Sequence, residues 1–363
     1  MIVTAMTSLH AAPAPSDSSE SSAVGDVSAD ASSDGLSDTP APFVDERNLD
    51  TVDAFLDAIE KPLDSWFRPV VRGFDRIPEG SAMVVANHNG GILMPDVWMI
   101  ASAFRRARGS AQLPYALGHD AALDAPLLGP ALKALGGARA CHRSANALFR
   151  AGKKVLVFPG GDVENLRPFS ARDRIVFGGR MGYVRLAIRH GVPIAPIVTS
   201  GAHSGMLVID DGQKLARALG LNKLRIHVLP TVLSVPWGIT FGFPPPYLPL
   251  PIRTYIEALA PISFSRSGAE AASDDAYVEQ CHTEVVRRMQ SALERLSAER
   301  RRARRAKIDE VLDRVLDRAL GFIAPVIDPT PAHAESVRPL AEAPRSPAKL
   351  PAARSEPHLR LVA

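Results

Sequence analysis

Short apolar runs recur along the middle of this chain, at 82–86, 113–117, 155–158, 192–198, 224–229 and 254–259, each long enough for one buried strand. Helical stretches separate several of them, at 97–106, 131–135, 145–151 and 179–190. Strands alternating with helices predict an α/β fold, a mostly parallel sheet covered by helices. Leu49, Val52, Phe55, Leu56 and Ile59 mark a further amphipathic helix after Asn48, and no internal repeat interrupts the pattern.

Two C-terminal segments also read as helices. Ser273, followed by Asp274 and Asp275, is an N-cap signal, and Tyr277, Cys281, Val285, Met289, Leu293 and Leu296 then form one stripe. That helix is expected to end in the basic run Arg300, Arg301, Arg302, Arg304, Arg305 and Lys307. A second helix, over 306–327, carries Ile308, Val311, Leu312, Val315, Leu316, Ala319, Phe322 and Ile323 at helical spacing. Such helices pack on the domain, pack on each other or lie on a membrane surface.

The flanks differ in kind. Residues 1–45 are Ser, Ala, Asp and Pro with scattered apolars, and 328–363 are rich in Pro and Ala, so both are expected to be disordered tails. The first ten residues lack Lys, Arg and a sustained apolar run, which argues against a secretory leader. Two cysteines, Cys141 and Cys281, give neither a disulfide framework nor zinc-type spacing, and a reduced, cytosol-facing location fits. Residues 1–46 hold eight acids and no Lys or Arg, so the chain's formal +3 conceals a body of about +11. A basic body suits anionic partners such as phospholipid surfaces or nucleotide phosphates. Nucleic acid is not expected, because the basic run at 300–307 has little aromatic interleaving.

Residues 226–252 contain no Asp, Glu, Lys or Arg, yet seven prolines make a spanning helix untenable. The stretch reads as an apolar loop that touches lipid or roofs a groove, with Trp237, Phe241, Phe243 and Tyr247 as inserting candidates, or as a buried connector.

Four blocks carry chemistry. In VVANHNGGILMPD (84–96) a strand delivers Asn87 and His88 to its end, Gly90 and Gly91 permit a tight turn, and Asp96 opens the next helix. An imidazole can take a proton from an alcohol near neutral pH, with a carboxylate fixing its tautomer; Asp96 could equally be a helix cap. In GGARACHRSANA (136–147), Arg143 and Asn146 stand at a helix start, where Arg143 could pair with phosphate or lie on the surface. In VLVFPGGDVENLRPF (155–169), a strand ends in Pro159, Gly160 and Gly161, whose backbone can approach a ligand closely, with Glu164 and Arg167 just beyond. GVPIAPIVTSGAHSG (191–205) runs a strand into a small-residue turn; His203 and Ser204 suggest a hydrolase pair, but the Gly-x-Ser-x-Gly elbow is absent.

The order of these blocks resembles the glycerolipid acyltransferase family, which includes the glycerol-phosphate and lysophospholipid acyltransferases. Phe158-Pro159-Gly160-Gly161-x-x-Glu164, with Gly179-Arg180-Met181-Gly182-Tyr183 downstream, looks most like the diacylglycerol-acyltransferase-like branch. The likeness spans roughly residues 65–265. It implies an acyltransferase domain over 46–305, with His88 as general base and Asp96 orienting it. Phe158, Pro159, Gly160, Gly161 and Glu164 would line the acceptor site, Arg167 and Asn146 would assist, Arg143 would meet a phosphate, and Pro196 would belong to the acyl side. The family spacing is His-x4-Asp, which here falls on Leu93; the nearest acid is Asp96.

The implied reaction moves a fatty acyl group from a thioester, acyl-CoA or acyl carrier protein as co-substrate, to the hydroxyl of a membrane lipid. No metal or bound cofactor is implied. The expected location is the cytoplasmic face of a membrane, peripheral or monotopic. A lipid ester or thioester hydrolase and a non-catalytic lipid-binding protein of the same fold are the alternatives.

Overall fold

The computed structural model describes residues 45–327, apart from 119, 222–227 and 243–246. In chain order the first half comprises α1 (Leu49–Phe67), β1 (Val70–Arg72), β2 (Met83–Ala86), α2 (Pro95–Arg108), β3 (Tyr115–Gly118), α3 (Asp120–Leu123), α4 (Leu128–Ala134), β4 (Gly137–Arg139) and α5 (His142–Arg150). There follow β5 (Val155–Val157), α6 (Gly161–Asn165), α7 (Gly182–His190), β6 (Ile194–Ser200), β7 (Leu207–Asp210) and α8 (Gln213–Ala218). The described chain closes with β8 (Thr231–Ser234), β9 (Gly238–Phe241), β10 (Tyr255–Ala258), α9 (Ala269–Ser273) and α10 (Asp275–Ile327).

The α/β architecture is the one expected. Seven strands form a sheet in the order β1-β10-β6-β2-β5-β3-β4. The block β6-β2-β5-β3-β4 is parallel throughout, while β10 meets β6 antiparallel and carries β1 beside it. Strand alternation divides the core between the two faces. Met83, Val85, Val155, Ile194 and Val198 pack with Leu148, Ile188, Val285, Met289 and Leu293 from α5, α7 and α10. Val84, Ala86, Leu156, Ala195 and Ile197 pack with Val52, Leu56, Ile100 and Phe104 from α1 and α2. A strand buried on both faces has no polar alternation to show, which is why these runs read as continuously apolar.

Several expectations need correction. Helix α1 continues to Phe67 through Pro62, well past Ile59. The two C-terminal helices are one, because 297–307 is built of Ala, Arg, Glu, Ser and Lys, strong or tolerated helix formers with no Gly or Pro. Its cap is Asp274, whose Oδ1 accepts from Tyr277 N–H at 3.0 Å; Ser273 ends α9 and donates to the Ala269 carbonyl. The division between two compact units falls at Ala306–Lys307. In the second, Ile308, Val311 and Leu312 are exposed.

Asp45, placed in the leading tail by composition, is tied to the body: Tyr115 donates to it and Lys153 lies 3.7 Å away. Residues 1–44 and 328–363 of the expected tails, and 224–227 of the strand expected at 224–229, lie outside the described residues; Val228 and Leu229 belong to no strand.

Part of the charge-free stretch is strand rather than loop. Strands β7, β8 and β9 form a separate antiparallel sheet in that order. Its prolines sit where a sheet tolerates them, Pro230 just before β8 and Pro236 in the turn to β9. Tyr247, an inserting candidate, is instead buried with Leu166, Met206, Val208, Val228 and Val232; Phe243 lies outside the described residues.

Met289 is fully buried where α10 meets the sheet. Met289→Ala is expected to cost about 2–5 kcal/mol, read as a lower urea midpoint with an unchanged slope.

Candidate active site

In parallel sheets, ligands bind outside the carboxyl ends of the strands. Here β2, β5 and β6 end side by side, and the turns that leave them, 87–94, 158–161 and 201–205, meet there. Asn87 locks the first turn to β6: its side-chain amide donates to the Thr199 carbonyl at 3.0 Å and its Oδ1 accepts from Thr199 N–H at 2.8 Å.

The seven residues between His88 and Asp96 are absorbed by one tight device. A single 3₁₀ turn over Gly91–Leu93 and Met94 in the left-handed region bring the chain back, so that Asp96 lies in the first turn of α2 beneath His88. His88 Nδ1 stands 3.1 Å from Asp96 Oδ2, and Asn89 N–H donates to the same oxygen at 2.9 Å. Asp96 is fully buried, and its Oδ1 has no hydrogen-bond partner among the described residues. Gly90 makes the closure possible: a Cβ there would stand 2.1 Å from Asp96 Oδ1. Donation from Nδ1–H to the carboxylate leaves Nε2, on the opposite edge of the ring, as the basic nitrogen. Phe158 stacks on the imidazole at 4.0 Å between centroids and 12° between planes, fixing the ring plane.

Glu164 faces inward. Its Oε2 accepts from His88 N–H at 2.9 Å and its Oε1 from Val176 N–H at 3.0 Å. Burial pushes its carboxyl above the usual carboxylate range, against the opposing pull of Arg167 and the two amides. Arg167 is spent on backbone carbonyls, of His88 (2.7 Å), Glu164 (2.6 Å), Ala171 (3.1 Å) and Arg172 (2.8 Å). Neither side chain is placed to line an acceptor pocket; both hold the His88 turn, because a buried charge must spend its bonding capacity on the protein around it.

Gly160 allows close packing: a Cβ there would stand 2.3 Å from Glu164 Cβ and 2.5 Å from the Val176 carbonyl oxygen. Arg180 clamps the same turn through the Pro159 and Gly160 carbonyls, at 3.0 and 2.8 Å. Phe158, Pro159 and Gly161 are partly exposed at this edge. Arg143 is exposed on the first turn of α5. Asn146 faces away from a ligand role, its Oδ1 accepting from His190 Nε2 at 2.7 Å between α5 and α7. Pro196 lies within buried β6.

Sequence reasoning missed Asn89, Asn165 and the structural use of His203. Asn165 donates to the Gly91 carbonyl at 2.9 Å and Asn89 Oδ1 accepts from His203 N–H at 2.9 Å, so three turns are stitched together. Only the Asn-His-Asn run hinted at one of these, since an Asn beside a strand end often satisfies turn backbone. The hydrolase pair is not assembled. His203 Nε2 donates to the Arg167 carbonyl at 2.9 Å, and Ser204 Oγ accepts from Arg300 at 3.4 Å.

Burial, reinforced by the nearby Arg167 charge, pulls His203 from its ordinary 6.5 down to about 3. The unfolded chain then binds a proton below pH 6.5 that the fold does not, so stability is lost as pH falls from 6.5 towards 3. His190 and His282 shift the same way through burial. The urea midpoint is expected to drop between about pH 6.5 and 4, and His203→Gln to flatten that slope. An unchanged slope in His203→Gln would contradict a buried neutral imidazole.

An acyltransferase family model matches residues 68–200, the segment holding β2, β5 and β6 and both His88 and Asp96. An uncharacterized protein of Mycobacterium tuberculosis is 32% identical over 264 residues, covering 71% of this chain and 70% of its own length. One from Mycobacterium leprae is 31% identical over 264 residues, covering 71% and 69%. The crystal structure of the 1-acyl-sn-glycerophosphate acyltransferase PlsC from Thermotoga maritima is similar at 18% identity and a TM-score of 0.40, over 69% of this chain and 80% of that one. The chain belongs to the acyltransferase family, whose glycerolipid members its four blocks resemble.

Proposed function

We propose that this protein transfers a fatty acyl group from a thioester, acyl-CoA or acyl carrier protein, to the hydroxyl of a glycerolipid or lysophospholipid at a membrane surface. The observation that carries this reading is the 3.1 Å contact of His88 Nδ1 with Asp96 at the carboxyl end of β2. Nε2 takes the proton of the acceptor hydroxyl as its oxygen attacks the thioester carbonyl. The tetrahedral intermediate then collapses, the carbon–sulfur bond breaks, and the departing thiolate takes the proton from the imidazolium. General-base catalysis contributes about 10²–10⁴-fold, and holding both substrates in line contributes further. Phe158, Pro159 and Gly161 border the acceptor, with Gly160 keeping that turn tight, and the exposed Arg143 meets a phosphate or polar head. Glu164 and Arg167 act through the backbone of the His88 turn. A lipid acceptor sets the work at the cytoplasmic face of a membrane, with the enzyme peripheral or monotopic. Among the described residues no helix is long and apolar enough to cross a membrane.

The test is product formation from labelled acyl-CoA with a panel of lysolipids and diacylglycerol. His88→Ala is expected to lose at least about 10²–10⁴-fold with a native melting curve. Asp96→Asn loses less, since it disturbs tautomer and orientation, and Ser204→Ala stays near wild type. Full activity in a folded His88→Ala protein would overturn the mechanism. Loss in Ser204→Ala would favour the hydrolase instead.

Separately, Gly90→Ala drives a methyl group into Asp96 and displaces the pair, so turnover is expected to fall by about 10²-fold. Undiminished turnover in that variant would show that the close approach is dispensable.

A further inference from the structure

An antiparallel sheet with one covered face normally turns polar residues outward. The β7-β8-β9 sheet does the reverse. Val208 and Val232 are buried beneath it with Met206 and Tyr247. Leu207, Leu233 and Ile239 then form a cross-strand row on the other face, with Phe241 opposite Thr231. Ile239 is 62% and Phe241 78% exposed, and Ile209, Leu233, Val235, Trp237, Leu248 and Leu250 are exposed beside them. A contiguous apolar face of this kind marks an interaction surface.

We infer that this face seats the protein on an anionic lipid bilayer. Its borders are basic: Lys214 and Arg217 on α8 and Arg253 after the stretch are exposed, with the apolar Leu215 and Leu219 between and beside the first two. The acids at that edge are engaged locally, Asp210 accepting from Gly212 N–H at 2.7 Å and Asp211 from Gln213 N–H at 3.1 Å. Apolar side chains ringed by Lys and Arg complement an acyl layer beneath anionic headgroups. A second protein copy would leave those cations facing their own kind.

The opposite, buried side of the small sheet meets the candidate active site. A Cβ on Gly91, in the His88 turn, would stand 2.8 Å from Met206 Cε and 3.1 Å from the Tyr247 hydroxyl oxygen, so the buried side of the small sheet rests on that turn. Leu250 N–H donates to the Gly205 carbonyl at 2.9 Å. Seating this face would therefore hold the carboxyl end of β2 about the thickness of one sheet from the lipid that supplies the acceptor. That consequence rests on the proposed acyl transfer, whereas the docking itself does not.

The test is sedimentation of the full-length protein with phosphatidylcholine vesicles, with and without phosphatidylglycerol. Wild type should bind the mixed vesicles and, in 1 M salt as a chosen condition, lose affinity without losing all binding. The double variant Ile239→Glu, Phe241→Glu should bind about tenfold or more weakly, with an unchanged melting curve and unchanged transfer to a water-soluble short-chain acceptor. Leu248→Glu, outside the three strands, should act in the same direction and serves if the double variant does not fold. Lys214→Ser with Arg217→Ser should erase the preference for phosphatidylglycerol. Vesicle binding by the folded glutamate variants at the wild-type level would overturn the inference, as would wild-type failure to bind either vesicle. Self-association of wild type in sedimentation velocity that these variants abolish would assign the face to a second copy and overturn it equally. Vesicle binding without transfer to the soluble acceptor would leave the docking face standing and refute the catalytic reading alone.

Discussion

One buried carboxylate holds the site together. Glu164 accepts from the backbone of His88 on one side and of Val176 on the other, so the turns leaving β2 and β5 and the loop before α7 share a single anchor. Arg167 completes the arrangement by filling four carbonyls, including that of His88. Two charges withdrawn from water are costly, and they persist only where the structure meets their bonding needs. The cost falls on a turn that must not drift under the proposed mechanism, in which an imidazole displaced by about an ångström would forfeit much of its advantage as a base.

The same turn shows how a spacing can change while a geometry survives. His-x4-Asp would place the acid at Leu93; this chain has three more residues and spends them on the 3₁₀ turn at Gly91–Leu93. Gly90 leaves room for Asp96, and Asn165 ties down the Gly91 carbonyl. Asp96 thus serves Asn89 N–H and His88 Nδ1 with one oxygen, as an orienting carboxylate for the turn and the ring. Of the two readings that the sequence left open for Asp96, the helix cap is not the one seen: α2 has no side-chain cap, and Asp96 bonds the turn before it.

The central strands and their helices were legible because burial on both faces leaves unbroken apolar runs. β1 and β4 were not: three residues each, none of them buried and each strand carrying an arginine, they are strands only through their partners, β10 and β3. The small sheet was hidden by its prolines, which mark strand ends rather than forbid strands. Long polar composition between Leu296 and Ile308 looked like a helix end and is an exposed helix middle. Within the site, residue types pointed to His88, Asp96 and Phe158 without showing their contacts. They could not show that Glu164, Arg167 and Asn146 turn inward, since an acid, an arginine or an amide in a motif has the same letter whether it meets a ligand or a backbone.

In the proposed mechanism Asp96 holds His88 with its proton on Nδ1 and a basic Nε2 free to accept one from a hydroxyl. Nitrogen-15 NMR of the imidazole, assigned by comparison with His88→Ala, reads this directly. A proton-bearing Nδ1 coupled to a pyridine-like Nε2 is expected in the neutral ring, with loss of that tautomer preference in Asp96→Asn. A neutral ring with its proton on Nε2, or a tautomer indifferent to Asp96, would contradict it.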